Sequence, residues 1–221
     1  MKTIEQIFGL KKIVPTVSLE CKEIIEPVCN ALLDGGINVI AVRLLSAKSL
    51  AAVEYINDKL PNITVGVAGI MDAAGFLNAS IAGAKFISSP GITPELFTAA
   101  RTRYNDAHFL PGMIVPSHIM DALSRGFEVM NLFPAEVMNG YELLKTYAHT
   151  FPKAKFAVNG GINFDNMEKY LALDNVVAVG LSSIADSKLI ATKNYSEVTE
   201  RARKAVRLSE VVIQNKLQKG S

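Results

Sequence analysis

Short apolar runs alternate with amphipathic segments along the whole chain. The runs are rich in Val and Ile and are bounded by Gly, Pro or Asn, which is typical of parallel strands covered by helices on the outside. They lie at residues 12–17, 37–42, 63–67, 85–88, 109–113, 129–133, 155–158 and 176–179. Each run is followed by a segment with helical periodicity. The pattern therefore predicts eight consecutive strand–helix units.

The predicted helices have recognisable ends. They cover residues 23–33, 47–60, 72–81, a segment from 94, and then 116–124, 141–149, 163–171 and 196–216. Thr93 precedes Pro94, which matches an N-cap threonine followed by a proline at the first helical position. Gly35 and Gly36 end the first of these helices. Helix boundaries thus support the same strand–helix repeat.

This order of elements favours an α/β fold of one class, a single-domain (β/α)8 TIM barrel over residues 1–221. The alternative is a doubly wound open sheet. Eight strands, and the absence of a Gly-x-Gly-x-x-Gly motif after the first strand, count against that alternative. No linker or low-complexity segment indicates a second domain.

The composition limits the classes of partner and the cellular compartment that we expect for this protein. The chain is 49% hydrophobic and its net charge is +2, which argues against nucleic acid and against an anionic membrane as partners. No apolar run approaches the roughly 20 residues that a membrane span needs. Cys21 and Cys29 lie too far apart on one predicted helix to form a disulfide, so we expect free thiols in a reducing, cytoplasmic compartment.

A series of motifs resembles the bacterial 2-keto-3-deoxy-6-phosphogluconate (KDPG) / 4-hydroxy-2-oxoglutarate (KHG) aldolases, in the same order and over nearly the whole chain. The motifs are Ile13-Val14-Pro15, Gly35-Gly36-Ile37, residues 89–96, Leu110-Pro111-Gly112, Phe133-Pro134-Ala135-Glu136, Gly160-Gly161-Ile162 and residues 170–173. The resemblance implies a TIM barrel, a lyase that forms a Schiff base on lysine, and a homotrimer. It implies no cofactor, and no cluster with metal-ligand spacing follows any predicted strand.

The sequence departs from the family at the two positions that carry the chemistry. Asn131 stands where the family has the Schiff-base lysine, and an amide cannot form an imine. Ala41 stands where the family has its acid/base glutamate, and a methyl group cannot transfer a proton. Arg43 and Leu45 replace a threonine and an arginine on the same face of the second strand. We therefore expect the native aldolase activity to be lost.

Further departures lie after other strands. Ile70, Val115 and Asn159 differ from the family pattern, and Val115 lacks the hydroxyl that would cap the following helix, a loss of about 1 kcal/mol. The resemblance implies a phosphate cradle formed by Gly160, Gly161, Gly180 and Ser182. Leu181 adds a side chain at this cradle, so we expect weakened phosphate binding.

These substitutions predict a remodelled, more apolar pocket at the barrel mouth, which binds a small molecule. Arg43 and His118 are the candidate catalytic residues, because Arg43 is a cation on an inward face and His118 begins a helix near the mouth. Asn131 and Ala41 occupy the family's catalytic positions. The expected lining is Ser18, Ala41, Leu45, Ile70, Met113, Val115, Asn131, Phe133, Asn159, Leu181 and Ser183.

Two interpretations remain open at this stage. The first is a pocket rebuilt, by engineering or by natural selection, for a new small-molecule reaction or ligand. The second is a catalytically inert trimeric scaffold, or a natural pseudoenzyme paralogue of the aldolase. Clustering of the substitutions at the C-terminal ends of the strands favours the first, because barrels place their active sites there.

Overall fold

The computed structural model describes residues 2–101 and 107–219. Eight parallel strands build its centre, and two of them are interrupted. They are β1 (Ile13–Val14 and Thr16–Val17), β2 (Val39–Arg43), β3 (Thr64–Ala68), β4 (Phe86–Ser88), β5 (His108–Leu110 and Gly112–Met113), β6 (Val129–Leu132), β7 (Lys155–Val158) and β8 (Val176–Gly180). The predicted strands all form, with ends that differ by one or two residues.

The strands form two five-stranded sheets that have β1 and β5 in common. Pro15 divides β1 so that one part pairs with β8 and the other with β2, and Pro111 divides β5 between β4 and β6 in the same way. Neither proline has an N–H to donate. Their carbonyls still accept hydrogen bonds of 2.9 Å from Ala41 N and Asn131 N, respectively. The circuit of strands is therefore complete, and the fold is a TIM barrel, as predicted.

Ten α-helices surround and close the barrel in the described part of the chain. They are α1 (Ile4–Phe8), α2 (Lys22–Asp34), α3 (Ala47–Lys59), α4 (Ala73–Ile81), α5 (Pro94–Arg101), α6 (Pro116–Ser124), α7 (Gly140–Thr150), α8 (Met167–Leu171), α9 (Ser187–Ala191) and α10 (Tyr195–Lys219). A 3-10 turn covers Glu136–Met138. Within residues 2–101 and 107–219, none of the helices has the length and apolar character that crossing a bilayer requires.

Most helix predictions are confirmed, and the exceptions have local causes. Helix α8 begins at Met167 and not at Asn163, because Asn163 and Asn166 cap backbone amides in a turn. Asparagine side chains that bond to nearby backbone compete with helix formation. The short α1, α9 and the 3-10 turn were not predicted.

Helix α1 closes the N-terminal end of the barrel. Ile4 and Phe8 are buried in the same apolar cluster as Val14 and Val39 inside the barrel. The Phe8 ring meets Phe86 edge to face, with 5.1 Å between ring centroids. Because this end is filled by side chains, access to the interior is left to the opposite end, where the strands have their carboxyl ends.

Candidate functional site

A cavity of about 470 Å³ opens at the C-terminal ends of the strands. Nine of the residues that the sequence assigned to the site line this main cavity: Arg43, Leu45, Asn131, Phe133, Asn159, Gly160, Gly161, Gly180 and Ser182. The other lining residues were not anticipated from the sequence: Thr16, Leu44, Ala68, Gly69, Ser88, Ser89, Pro90 and Ile162. Their common signal is position, since nearly all end a strand or begin the loop that follows it.

The inward face of β2 has the alternation that the sequence indicated. Arg43 and Leu45 line the main cavity, and Ala41 lies below them beside an internal cavity of about 20 Å³. Ala41 is 4% exposed and belongs to the apolar cluster inside the barrel. The position below the main cavity on this face therefore carries a methyl group, which cannot transfer a proton.

The amide of Asn131 is held at both ends. Its Nδ2 donates to the carbonyl of Ser89 at 2.8 Å, and its Oδ1 accepts from Asn159 Nδ2 at 2.8 Å. Asn131 is only 5% exposed. Ser89 is fixed in turn, because its hydroxyl donates to the Gly91 carbonyl at 2.6 Å and accepts from Gly112 N at 3.2 Å. The network orders one wall of the cavity with uncharged groups.

Glycines beside this network keep backbone close to the cavity. A Cβ on Gly180 would lie under 3.0 Å from Asn159 Oδ1, so β8 needs a glycine where the amide approaches it. Gly160 and Gly161 have φ angles of 94° and 85°, which L side chains rarely adopt. The turn after β7 therefore presents its backbone to the main cavity.

Arg43 has an exposed side chain and no ion pair or hydrogen bond within the described residues. Glu136, an acidic residue that follows β6, is engaged elsewhere. The Glu136 carboxylate accepts from the Tyr170 hydroxyl and pairs with Lys169 at 3.3 Å. The Tyr170 hydrogen bond is the main reason that the pKa of Glu136 lies below its ordinary value, with Lys169 adding to it. Arg43 is thus free to face a ligand.

A second cavity of about 340 Å³ lies beside the first and is mainly polar. Its lining residues are Thr16, Ser18, Arg43, Ser182, Ser183, Ala185, Asp186 and Ser187. Ser18 and Ser183, both assigned to the site from the sequence, line this cavity and not the main one. Arg43 lines both cavities.

Three apolar residues assigned to the lining lie in the core instead. Ile70 and Leu181 are 0% exposed and Met113 is 1% exposed, in the layer between the strands and the outer helices. Strand alternation explains Leu181: Gly180 lines the cavity, so the next side chain points to the other face. The expectation that Leu181 weakens the cradle is therefore corrected, because its side chain does not reach Gly160 or Gly161 from that face.

His118 and Val115 are also placed differently from the expectation. Both are exposed, and neither lines either cavity. Val115 precedes α6 without a side-chain capping bond, which confirms the lost cap. His118 lies in the first turn of α6, on a surface outside the cavities. His118 is therefore not placed to act on a ligand in either cavity.

Neither cavity supplies the groups for Schiff-base or metal chemistry in the part of the chain that the structure describes. No lysine lines either one. No group of three or more His, Cys, Asp or Glu side chains is arranged to hold a metal ion, again within the described residues. The ionisable groups of the two linings are Arg43 and Asp186.

Comparison with known proteins places this geometry in a family. The family model described as "Aldolase: KDPG and KHG aldolase" matches residues 4–201. The 2-dehydro-3-deoxy-phosphogluconate aldolase of Pseudomonas aeruginosa is 31% identical over 195 residues, 88% of each chain. The KHG/KDPG aldolase of Escherichia coli K12 is 30% identical over 202 residues, 91% of this chain and 94% of that protein.

Solved structures agree with the sequence matches. The KDPG aldolase of Legionella pneumophila, crystallised with pyruvate captured as a covalent carbinolamine intermediate, has a TM-score of 0.87 and 31% identity, covering 92% of this chain and 98% of its own. A cube-shaped cage designed by fusing symmetric oligomeric domains shares the fold alone, with a TM-score of 0.80 and 15% identity over 95% of this chain and 76% of its own. This chain therefore belongs to the KDPG and KHG aldolase family.

Proposed function

We propose that this family member binds a small molecule at the barrel mouth and does not form a Schiff base. The observation that carries the proposal is Asn131, which replaces the family's lysine by sequence resemblance and has its amide bound to Ser89 and Asn159. An amide nitrogen is not nucleophilic enough to attack a ketone. The absence of lysine from both linings, within the described residues, supports the same conclusion.

The cavity suggests the character of the ligand. Leu45, Phe133 and Ile162 supply apolar surface, while Asn131 and Asn159 supply amide groups. Pockets of this kind take a mainly apolar ligand that a few polar groups orient. Arg43 is the charged group at the mouth, and in a reaction it would stabilise negative charge that develops on the ligand. The glycine turn after β7 adds backbone surface to the same lining.

The first test is the lost aldolase reaction. Sodium borohydride with pyruvate should trap no covalent adduct, and cleavage of KDPG should remain at background, because among the described residues neither a lysine nor a carboxylate lines the main cavity. Mass spectrometry of the intact protein and a coupled pyruvate assay measure the two outcomes. The Pseudomonas aeruginosa aldolase is the positive control. A stoichiometric pyruvate adduct on any lysine would contradict the proposal.

A second function, as a homotrimeric scaffold, is favoured by exposed apolar side chains on one side of the mouth. Met71 follows β3 and is 71% exposed, while Val137 follows β6 and is 80% exposed. Met120 on α6, between them in barrel order, is 61% exposed. Apolar groups left in solvent on one side of a molecule commonly mark a protein interface. We propose that this side of the barrel assembles three copies of the chain.

The assembly is tested by sedimentation at micromolar concentration, where we expect a trimer. Val137→Glu should dissociate it, because a carboxylate buried at an apolar interface loses its hydration without a partner. Ile81→Glu is the matched control: Ile81 is 69% exposed, but it ends α4 at the opposite end of the barrel. A wild-type monomer, or equal dissociation by both substitutions, would count against the proposed interface.

The cysteines support a cytoplasmic location. Both are free: Cys21 is exposed and Cys29 is buried. Burial raises the pKa of the Cys29 thiol to about 12, so this group stays protonated and unreactive. Two unpaired thiols fit a reducing compartment better than an oxidising one.

A further inference from the structure

We propose that the second cavity is a carboxylate subsite for a ligand whose body occupies the main cavity. We call it the Arg43 subsite and define it by Ser18, Arg43 and Ser183. The inference rests on the proposed function, because it requires a small molecule at the barrel mouth. It adds the chemical class of that molecule, a monocarboxylate with an apolar body, and the residues that recognise its charge.

The two cavities are adjacent and share three lining residues. Thr16, Arg43 and Ser182 appear in the lining of both, between the ends of β1, β2 and β8. The main cavity has a volume of about 470 Å³ and the subsite one of about 340 Å³. A ligand in the main cavity can therefore extend one group past Arg43 into the subsite. The apolar and amide side chains of the main cavity then contact the body of the ligand, and Arg43 contacts the charged group at its end.

The acidic residue that lines the subsite does not pair with Arg43. Asp186 is the acidic residue of the lining, but its carboxylate accepts from Leu189 N at 2.9 Å and pairs with Arg201 at 3.0 Å. Arg201 is also held by Glu197 at 2.8 Å. The pKa of Asp186 lies below its ordinary value, chiefly through the backbone hydrogen bond from Leu189, with Arg201 adding to it. Asp186 is thus already paired, and Arg43 has no partner within the described residues.

The hydroxyl groups of the subsite offer donors to the same anion. Thr16, Ser18, Ser182 and Ser183 all line it. Ser183 Oγ is buried and has no hydrogen-bond partner among the described residues, a condition met otherwise only by Asn175 Oδ1. Buried polar groups are normally paired. Rotation of the Ser183 side chain about its Cα–Cβ bond would turn this hydroxyl from the wall into the cavity, where a ligand oxygen would pair with it.

The backbone at Ser183 is held in place for this role. Its carbonyl accepts a hydrogen bond of 2.7 Å from Arg201 Nη1, the same nitrogen that pairs with Asp186. Arg201 therefore couples the loop after β8 to α10. It acts as a positioning residue for the subsite, because it does not itself line either cavity.

A carboxylate fits these groups better than a phosphate does. One unpaired guanidinium neutralises one negative charge, whereas a phosphate monoester carries about −1.5 to −2 at neutral pH. The excess charge would lie close to the Asp186 carboxylate, which lines the same cavity. The planar fork of arginine matches the oxygens of a carboxylate and of a phosphate alike, so the charge decides between them. We therefore assign the Arg43 subsite to a carboxylate.

The test compares 3-phenylpropionate with its neutral isostere 3-phenylpropionamide by NMR titration of the isotope-labelled full chain. The side-chain signal of Arg43 Nε–H reports the subsite, and that of Asn159 Nδ2 reports the main cavity. We expect the carboxylate to shift both signals and to bind about tenfold more tightly than the amide, as a charge-assisted hydrogen bond provides. Arg43→Gln should abolish this preference.

Lys48→Gln is the matched control. Lys48 is exposed at the start of α3, directly after the β2 loop, and lines neither cavity. The substitution removes one positive charge near the mouth, as Arg43→Gln does, but outside the cavities. The preference for the carboxylate should therefore survive in this variant. Arg43→Lys should retain only part of the preference, because it keeps the charge without the fork. If Arg43→Gln and Lys48→Gln lowered the preference for the carboxylate equally, the preference would come from the overall positive charge near the mouth, and the subsite would be overturned.

The remaining outcomes separate this inference from the proposed function. Shifts at Asn159 with equal affinity for acid and amide would overturn the subsite and leave ligand binding at the mouth intact. Tighter binding of phenyl phosphate than of 3-phenylpropionate would overturn the carboxylate assignment. No shift at either signal with any of the three probes would overturn the subsite, while the proposed lack of Schiff-base chemistry would still be decided by borohydride trapping.

Discussion

Replacing Gly112 by alanine is expected to destabilise the barrel by about 3 kcal/mol, because the new methyl group has no space. Its Cβ would lie under 3.0 Å from the backbone of Pro90 and Gly91, at the start of the loop after β4. Backbone atoms cannot move aside by changing a rotamer, so β5 or this loop must shift. Urea denaturation with two independent probes measures the change in the free energy of unfolding.

A neighbouring glycine, Gly91, supplies a matched control. A methyl group on Gly91 would meet no atom within 4 Å, and the φ of Gly91 is not positive. Gly91→Ala should therefore change stability by no more than about 0.5 kcal/mol. Gly112→Ala should also disturb the mouth, because Gly112 N donates to Ser89 Oγ and the Ser89 carbonyl accepts from Asn131. Similar stabilities for the two variants would contradict the packing at β5.

The barrel was predictable because each strand, and the main helix of each strand–helix unit, carries its own local signal. Val and Ile runs identify strands that are covered on the outside, and eight of them in alternation with helices leave few topologies. The effect of the interruptions at Pro15 and Pro111 could not be predicted in this way. A proline inside a strand is visible in the sequence, but its effect, that one strand belongs to two sheets, depends on the closure of the whole barrel.

The polar part of the site was predictable for a geometric reason. Parallel strands present their carboxyl ends at one end of a barrel, so Arg43, Asn131 and Asn159 had to lie near one another. The face on which each side chain lies was harder to predict from the sequence. Leu181 and Gly180 differ by one position, and one position in a strand reverses the face. Residues in loops and helix turns, such as Ile70 and His118, have no such alternation to orient them.

Contacts between distant segments were not visible in the sequence. Helix α1 is five residues long, too short for a periodic pattern, yet Phe8 fills the end of the barrel against Phe86. The pairing of Asp186 with Arg201 joins the loop after β8 to α10, so the acidic residue of the subsite lining is engaged there and not with Arg43. The charge balance of the mouth is therefore a property of the fold, which no single motif carries.

Asn131→Lys is expected to trap pyruvate with borohydride where the wild-type protein traps none. The position lines the main cavity, so a lysine there has room to meet a ligand. Arg43 lines the same cavity, and a neighbouring cation lowers the pKa of an amine, which leaves more of the nucleophilic neutral form. Asn131→Met, of similar length without an amine, is the control and should trap nothing. Failure of the lysine variant to form an adduct would contradict the geometry assigned to Asn131.

The same lysine should not restore KDPG cleavage, because carbon–carbon cleavage also needs a group that transfers a proton. Ala41, 4% exposed below Arg43, supplies none, so kcat/KM of Asn131→Lys should stay near background. Asn131→Lys with Ala41→Glu should exceed the single variant by about 10²-fold, the lower range of general acid–base catalysis. The gain stays at that lower range because Arg43, two residues along the same face, holds the pKa of a new carboxyl low and weakens it as a base. Aldolase activity from the lysine alone at the level of the Pseudomonas aeruginosa enzyme would show that Ala41 and Arg43 never altered the site.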